Sequence, residues 1–301
     1  MGNADIIFIA GPTASGKSAA ALRIAEALNG EIVNADAMQI YDGLRIVTAR
    51  PMPADEARIP HHLYGVLDGA EACSAGRWGL MAVDSIHDIC ARGKRAILVG
   101  GTGLYFKTLL EGLSPIPEIP GSVREAARAR RDLLGAAGFR DEVIAWDPAM
   151  TRLPEGDTQR LMRAWEVFKG TGTPLSTFQD APRVPLVTDP VTKLVVLPQR
   201  EVLYAACDAR AALMMSSGAI DEVQRLIERK LDPSLPVMKA LGVPEIRALL
   251  CGERDQSEAA ELMQRNTRRF AKRQMTWLRQ QMADWPSFED TDLASAAVIE
   301  G

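Results

Sequence analysis

The chain is 301 residues long, 47% hydrophobic and 25% charged, a globular composition with length for one large domain carrying a smaller one. No apolar run approaches the roughly 20 residues that cross a bilayer, and no secretory leader is visible, so a cytoplasmic protein without a membrane partner is expected. With 35 basic against 39 acidic residues the net charge is −4, which excludes bulk attraction to nucleic acid, and four scattered cysteines without a CxxC pair exclude a zinc or disulfide framework and read as reduced and mostly buried.

Ile6 to Ala10 reads as a short buried strand, and Ser18 to Leu28 as a helix turning Ala19, Leu22 and Ala25 inward. Between them Gly11, Pro12, Thr13, Ala14, Ser15, Gly16, Lys17 and Ser18 match GxxxxGK[ST] in the strand-to-helix setting that gives the motif its meaning. Small residues let backbone N–H groups converge on phosphate oxygens, Lys17 reaches a terminal phosphate, and Ser18 offers a hydroxyl to Mg²⁺. Such a loop specifies a polyphosphate without specifying ATP.

Glu31 to Ala35 reads as a second strand, which puts Asp36 of Asn34-Ala-Asp-Ala-Met-Gln39-Ile-Tyr41 at a strand's carboxyl end beside the loop, as a base, a metal ligand or a plain turn-capping residue. His61 and His62 are adjacent and cannot easily share one ion, so they are assigned to packing or hydrogen bonding. Arg95 to Val99 reads as a buried parallel strand running into Gly100-Gly101-Thr102-Gly103. A phosphotransferase of the Walker type would carry an Asp there to hold its metal; Thr102 supplies a neutral hydroxyl instead.

Pro115, Pro117 and Pro120 then stiffen an exit, helices are predicted over Val123 to Ala137 and Thr158 to Lys169, and Pro174, Pro182, Pro185 and Pro190 lead back to a strand at Lys193 to Leu197. The rest is largely helical. Its stretch Arg265, Arg268, Arg269, Lys272, Arg273, Arg279 contains no acid, while Phe270 and Trp277 read as a buried face. The predicted fold is α/β: a P-loop NTPase-like parallel sheet core (1–116 and 186–301) with a helical insertion domain (117–185) and a helical C-terminal region.

Taken in order, GPTASGKS (11–18), NADAMQIY (34–41), TARP (48–51), PHHL (60–63), LVGGTGLYFKTLLEGL (98–113), DTQRLMRAWEVFKGTGTPLS (157–176) and RRFAKRQMTWLR (268–279) resemble the tRNA dimethylallyltransferase family over most of the chain. The resemblance implies transfer of a dimethylallyl group from its diphosphate to N6 of the adenosine 3′ of the anticodon, in tRNAs reading UNN codons. It implies Asp36 as general base, Thr102 at the reaction centre, Lys17 and Arg210 on the diphosphate, and Mg²⁺ on Ser18. For the tRNA anticodon stem-loop it implies Asp36, Ala37, Met38, Gln39, Thr102, Arg124, Gln159, Arg160, Leu161, Met162 and Arg163, and the basic stretch adds Arg269, Lys272 and Arg273 as phosphate contacts.

Two positions depart from the pattern: Ala37 stands where many relatives have Ser, and Arg50 where Lys is common. Neither removes a group that the chemistry needs. Rival readings are a small-molecule P-loop kinase, an isoprenyltransferase acting on free adenine nucleotides, and a tRNA-binding protein without catalysis. Nothing in the sequence specifies an oligomer, and a monomer is the expectation.

Overall fold

Five consecutive apolar residues have no polar side to offer water. In the computed structural model of the chain, which describes residues 5–300, they form β1 (Ile6–Ala10), buried at every position. In chain order there follow α1 (Lys17–Ala27), β2 (Gly30–Asn34), α2 (Pro53–Arg58), β3 (His61–His62), α3 (Ala75–Ala91), β4 (Arg95–Gly100) and α4 (Gly103–Glu111). Next come α5 (Gly121–Trp146), α6 (Thr158–Thr171), α7 (Leu175–Asp180), β5 (Val191–Val196), α8 (Arg200–Ser216) and α9 (Ala219–Glu228). The chain closes with α10 (Val243–Leu250), α11 (Gln256–Gln281), β6 (Ser287–Phe288) and α12 (Thr291–Ile299). Two compact units result, one taking in the chain up to Leu110 and from Leu186 on, the other Glu111–Pro185.

The larger unit is built on a parallel sheet of strand order β3-β2-β4-β1-β5-β6. Alternation sends Ile7, Ile9, Ile32, Ile97, Val99, Leu194 and Val196 to one face, covered by Ala21, Ile24 and Ala25 of α1 and Ala294 of α12. Ile6, Phe8, Val33, Leu98 and Val195 face the other side, under Trp78, Tyr105, Phe106 and the C-terminal helices. Covering both faces is why the strands read as unbroken apolar runs. The phase expected for α1 is corrected: Ala20, Ala21, Ile24 and Ala25 are buried and Ala19 is exposed. The helix begins at Lys17, straight out of the loop, and its seating on the sheet decides which side turns in.

Backbone pairing sets the level of the strand ends. Ala10 lies opposite Gly100 and Val195, and Asn34 opposite Val99, so the segments leaving β1, β2, β4 and β5 depart from one edge. Two-residue strands β3 and β6, which carry no periodic signal of their own, extend the sheet on either side. The expected burial of the cysteines holds fully for Cys207 alone; Cys73 and Cys90 are half-buried and Cys251 is exposed.

The smaller unit has its own core, with Phe139, Val143, Leu161, Ala164, Trp165 and Val167 at its centre. Helix α5 runs well past its expected end and is broken at Gly135, where φ is 70°. Asp157 caps α6 by accepting the Arg160 N–H at 3.2 Å, and Trp146 stacks on Phe168 at 4.7 Å between centroids.

Candidate active site

The loop from Gly11 to Ser18 leaves the sheet at β1 and enters α1 through Gly16, whose φ of 83° a side chain would resist. Its N-cap residue, Gly16, has no side chain to cap this helix start, and a long contact of the Ser15 hydroxyl oxygen with the Lys17 N–H (3.4 Å) stands against the closed cap of α11, where Asp255 and Glu258 cap each other's N–H groups at 2.9 and 3.0 Å. The start of α1 therefore keeps its partial positive charge for an anion. Ala14 is also left-handed (φ 62°), which folds the loop amides inward.

Two cations converge there. Lys17 is half-buried, its Nζ donates to the Pro12 carbonyl at 3.0 Å, and its pKa is lowered from 10.5 to about 8 by burial first, with Arg210 pushing down and Asp36 pulling up. Arg210 reaches in from α8 and donates to the Thr13 hydroxyl; burial lowers its pKa too, against the pull of Cys207 and Asp36. Cations held together in partial burial beside one carboxylate are unfavourable unless an anion joins them.

Asp36 stands two residues past β2, on a turn held in shape by neighbouring side chains. The buried Asn34 accepts the Asp36 N–H at 2.8 Å and donates to the carbonyls of Asp36 and Leu63, each at 3.0 Å. One Asp36 carboxylate oxygen, Oδ1, accepts the Met38 N–H at 2.9 Å. Thr102, two residues past β4, donates its N–H to the Ala35 carbonyl at 3.2 Å, and its hydroxyl oxygen accepts the Ala37 N–H at 3.0 Å. With that oxygen already an acceptor, the Thr102 O–H proton remains available to donate to a ligand.

The expected residues Asp36, Ala37, Met38 and Gln39 are all half-buried. Gln39 spends its amide N–H groups on the carbonyls of Thr48 and Ala49, both at 2.9 Å. Two supports on the Asp36 side have no signal in the sequence reading. Glu222, buried in α9, accepts the backbone N–H groups of Arg45, Ile46 and Val47 at 2.8 to 3.0 Å and so ties down the turn that Gln39 grips. Asn34 is the second; its place beside Asp36 was visible, its role was not.

On the same unit Arg269, Lys272 and Arg273 stand exposed along α11, lining with Thr276, Trp277 and Gln280 an open groove of about 450 Å³. Trp277 is half-buried and packed against the core, as the buried-face reading expects, whereas Phe270 is half-buried outside the core clusters, correcting it there; Arg273 lies over the Phe270 ring at 5.6 Å. Ala259, Met263, Thr267, Ala271, Gln274, Met275 and Leu278 form the buried face instead. In the smaller unit Arg124, Gln159 and Arg160 are exposed, and Met162 and Arg163 half-buried. Leu161 is a correction: at 2% exposure it belongs to that unit's core, because its position in α6 points inward with Ala164 and Trp165, and its side chain has no surface for RNA. The two histidines take hydrogen bonds, His61 with the Ile59 carbonyl and His62 with Glu31, each at 2.7 Å.

Residues 39–281 match the family model described as IPP transferase, and residues 4–62 match that of isopentenyl transferase. The chain is 52% identical to the tRNA dimethylallyltransferase of Phenylobacterium zucineum, over 95% of this chain and 93% of that one. It is 50% identical to that of Rhodospirillum rubrum, over 93% and 87%. Its fold is similar to the crystal structure of the full-length tRNA isopentenylpyrophosphate transferase of Bacillus halodurans, with a TM-score of 0.69 at 30% identity over 98% of this chain and 94% of that one. It is also similar to a eukaryotic dimethylallyltransferase acting on tRNA, with a TM-score of 0.76 at 27% identity over 97% of this chain and 75% of that one.

Proposed function

We propose a mechanism for this site from one premise: the chain belongs to the IPP transferase family, whose curated relatives are tRNA dimethylallyltransferases. It is a prenyltransferase that moves a dimethylallyl group from dimethylallyl diphosphate to N6 of the adenosine 3′ of the anticodon, forming N6-dimethylallyladenosine and releasing diphosphate. The observation that carries the mechanism is the meeting of Lys17, Arg210 and Asp36 at the edge where β1, β2 and β4 end.

Lys17, Arg210 and backbone N–H groups of the loop, those of Gly16 and Ser18 at the helix start foremost, bind the diphosphate, while the Thr13 N–H is held within the protein. As the bond between C1 and the diphosphate oxygen breaks, negative charge gathers on that leaving group. Groups aimed at developing charge are worth about 3 kcal/mol each. The Thr102 O–H donates to a diphosphate oxygen and steadies the breaking bond.

The adenine N6 forms the new bond to C1 and loses a proton. Asp36 accepts it on Oδ2, since Oδ1 is engaged by the Met38 N–H. The adenine comes out of a single-stranded anticodon loop, where unstacking costs least, into a pocket lined by Asp36, Ala37, Met38 and Gln39. Arg269, Lys272 and Arg273 hold phosphates on one unit; Arg124, Gln159, Arg160, Met162 and Arg163 contact the RNA from the other.

Among the described residues no group of three His, Cys, Asp or Glu side chains stands ready to hold a metal. The Ser18 hydroxyl, a hard oxygen on an exposed residue beside the loop, fits Mg²⁺. Ser18 would hold the ion, which would supply further positive charge to the diphosphate. Among the described residues no helix is long and apolar enough to cross a membrane; the place of action is the cytoplasm, where tRNA is met.

The test is to incubate the protein with Mg²⁺, labelled dimethylallyl diphosphate and tRNA, AMP or ATP. Label entering tRNA alone is expected. Label in AMP, or phosphate transfer from ATP, overturns the reading.

A further inference from the structure

Helix α11 has two unlike sides. Arg269, Lys272 and Arg273 point outward, whereas Gln274, next in sequence, is only 8% exposed and lies on the inward face with Ala271, Met275 and Leu278. A buried amide among apolar neighbours costs free energy unless both its ends are bonded. Here both are. Its Oε1 accepts the Thr13 N–H at 2.8 Å, and its Nε2 donates to the Gly101 carbonyl at 3.0 Å.

Those partners lie on different loops. Thr13 is in the diphosphate loop after β1, and Gly101 adjoins Thr102 after β4. Thr102 is in turn joined to the Asp36 turn, through the Ala35 carbonyl at 3.2 Å and the Ala37 N–H at 3.0 Å. The three segments thus form one chain of contacts, in which Gln274 is a side-chain link between the leaving-group side and the base side. Glutamine suits the seat because one planar group offers an acceptor and a donor together. Glu would set an oxygen against the Gly101 carbonyl, and Met would offer neither bond at similar length.

We propose that Gln274 is a positioning residue, holding the diphosphate loop in register with Thr102 and Asp36 so that the C1 carbon lies in line between diphosphate and adenine N6. The inference rests on the prenyl-transfer reading above. Tethering of this kind acts on the chemical step, where small misplacements are costly, and not on the outward arginines that hold RNA.

The experiment uses the full chain as wild type, Gln274→Met, Gln274→Glu and Gln274→Asn, the last keeping the amide on an arm too short to span both loops. Single-turnover rates at saturating tRNA and dimethylallyl diphosphate are measured beside tRNA Kd at fixed salt. Amide hydrogen exchange is followed in peptides covering 11–18 and 100–103. Expected are a rate loss of about fivefold or more in every variant that folds, tRNA Kd within about twofold, and faster exchange in both peptides; fivefold corresponds to about 1 kcal/mol, the scale of one buried hydrogen bond. A smaller rate loss, a tRNA Kd that weakens in step with the rate, or unchanged exchange overturns the proposal. Should the wild-type chain itself transfer no prenyl group to tRNA, the functional reading fails, and exchange alone still decides whether Gln274 tethers the two loops.

Discussion

Lys17 provides a test that needs no turnover. Its pKa is brought to about 8 by burial and by Arg210, while its usual value is 10.5. At pH 8.5 the protein without diphosphate therefore carries Lys17 about one quarter protonated; a diphosphate beside it raises the pKa again, so binding takes up about three quarters of a proton. At pH 6.5 Lys17 is already charged and takes up almost nothing, and the diphosphate's own protonated fraction can only add a small release. The ligand adds little of its own at pH 8.5, since the last ionisation of its terminal phosphate lies at about 6.

Because the bound state holds the extra proton, affinity falls as pH rises above about 8, by up to tenfold per unit until the bound-state pKa is reached. The same shift acts on stability with its own sign. The folded pKa lies below the unfolded one, so the cost of the charged Lys17 is fully present below about 8 and is lost as pH rises towards 10.5. Titration calorimetry of dimethylallyl diphosphate with Mg²⁺, in two buffers of different ionisation enthalpy, reads the proton uptake directly. An uptake at pH 8.5 below about 0.2, or one that persists in Lys17→Met, refutes the placing of this lysine against the diphosphate.

Three further outcomes are expected. Asp36→Asn keeps the turn's geometry but removes the base, so prenyl transfer to tRNA should fall by at least about 100-fold while tRNA affinity by filter binding stays within about threefold. Buried Glu31 bonds Arg92 at 2.5 and 2.8 Å, Lys94 at 2.7 Å and His62 at 2.7 Å, and these partners, Arg92 foremost, hold its carboxyl far below the usual 4.5. Its stabilisation is therefore full above about pH 4.5 and drains away as pH falls further; Glu31→Gln should lower stability in urea unfolding at pH 7, by less than a fully buried pair would because Arg92, Lys94 and His62 keep access to water, with the gap to wild type narrowing below pH 4. Replacing Arg269, Lys272 and Arg273 together by Ala should lower the slope of log tRNA affinity against log salt by about 2, leaving diphosphate binding unchanged.

The legible part of the molecule was the part in which chemistry and neighbours in sequence coincide. The run Ile6 to Ala10, the loop with Lys17 and Ser18, and the run Arg95 to Gly100 carry their structure locally, and parallel pairing then brings their ends to one edge without further instruction. What escaped was the support. Gln274 meets Thr13 across 261 residues and Glu222 meets Val47 across 175, and nothing local distinguishes such a Gln or Glu from a solvated one on a helix. The phase of α1 and the two-residue strands β3 and β6 escaped for the same reason: each is set by what packs on it.

The missing acid at the end of β4 has a steric cause. A side chain on Gly100 would run into the backbone of Ala35, so no aspartate can stand at that position in this fold. The crowding arises because the chain leaving β2 crosses close over β4, with Ala35 donating to the Val99 carbonyl at 2.9 Å and accepting from Thr102 at 3.2 Å. That crossing delivers Asp36 to the diphosphate loop. A metal-holding acid on β4 and a base arriving from β2 compete for the same few ångströms, and this chain is built for the base. The exclusion is testable at the backbone: Gly100→Ala should displace the Asp36 turn and lose prenyl transfer, whereas Gly43→Ala, where a side chain would meet nothing within 4 Å, should lower stability by about 1 kcal/mol through its φ of 82° and leave the rate intact.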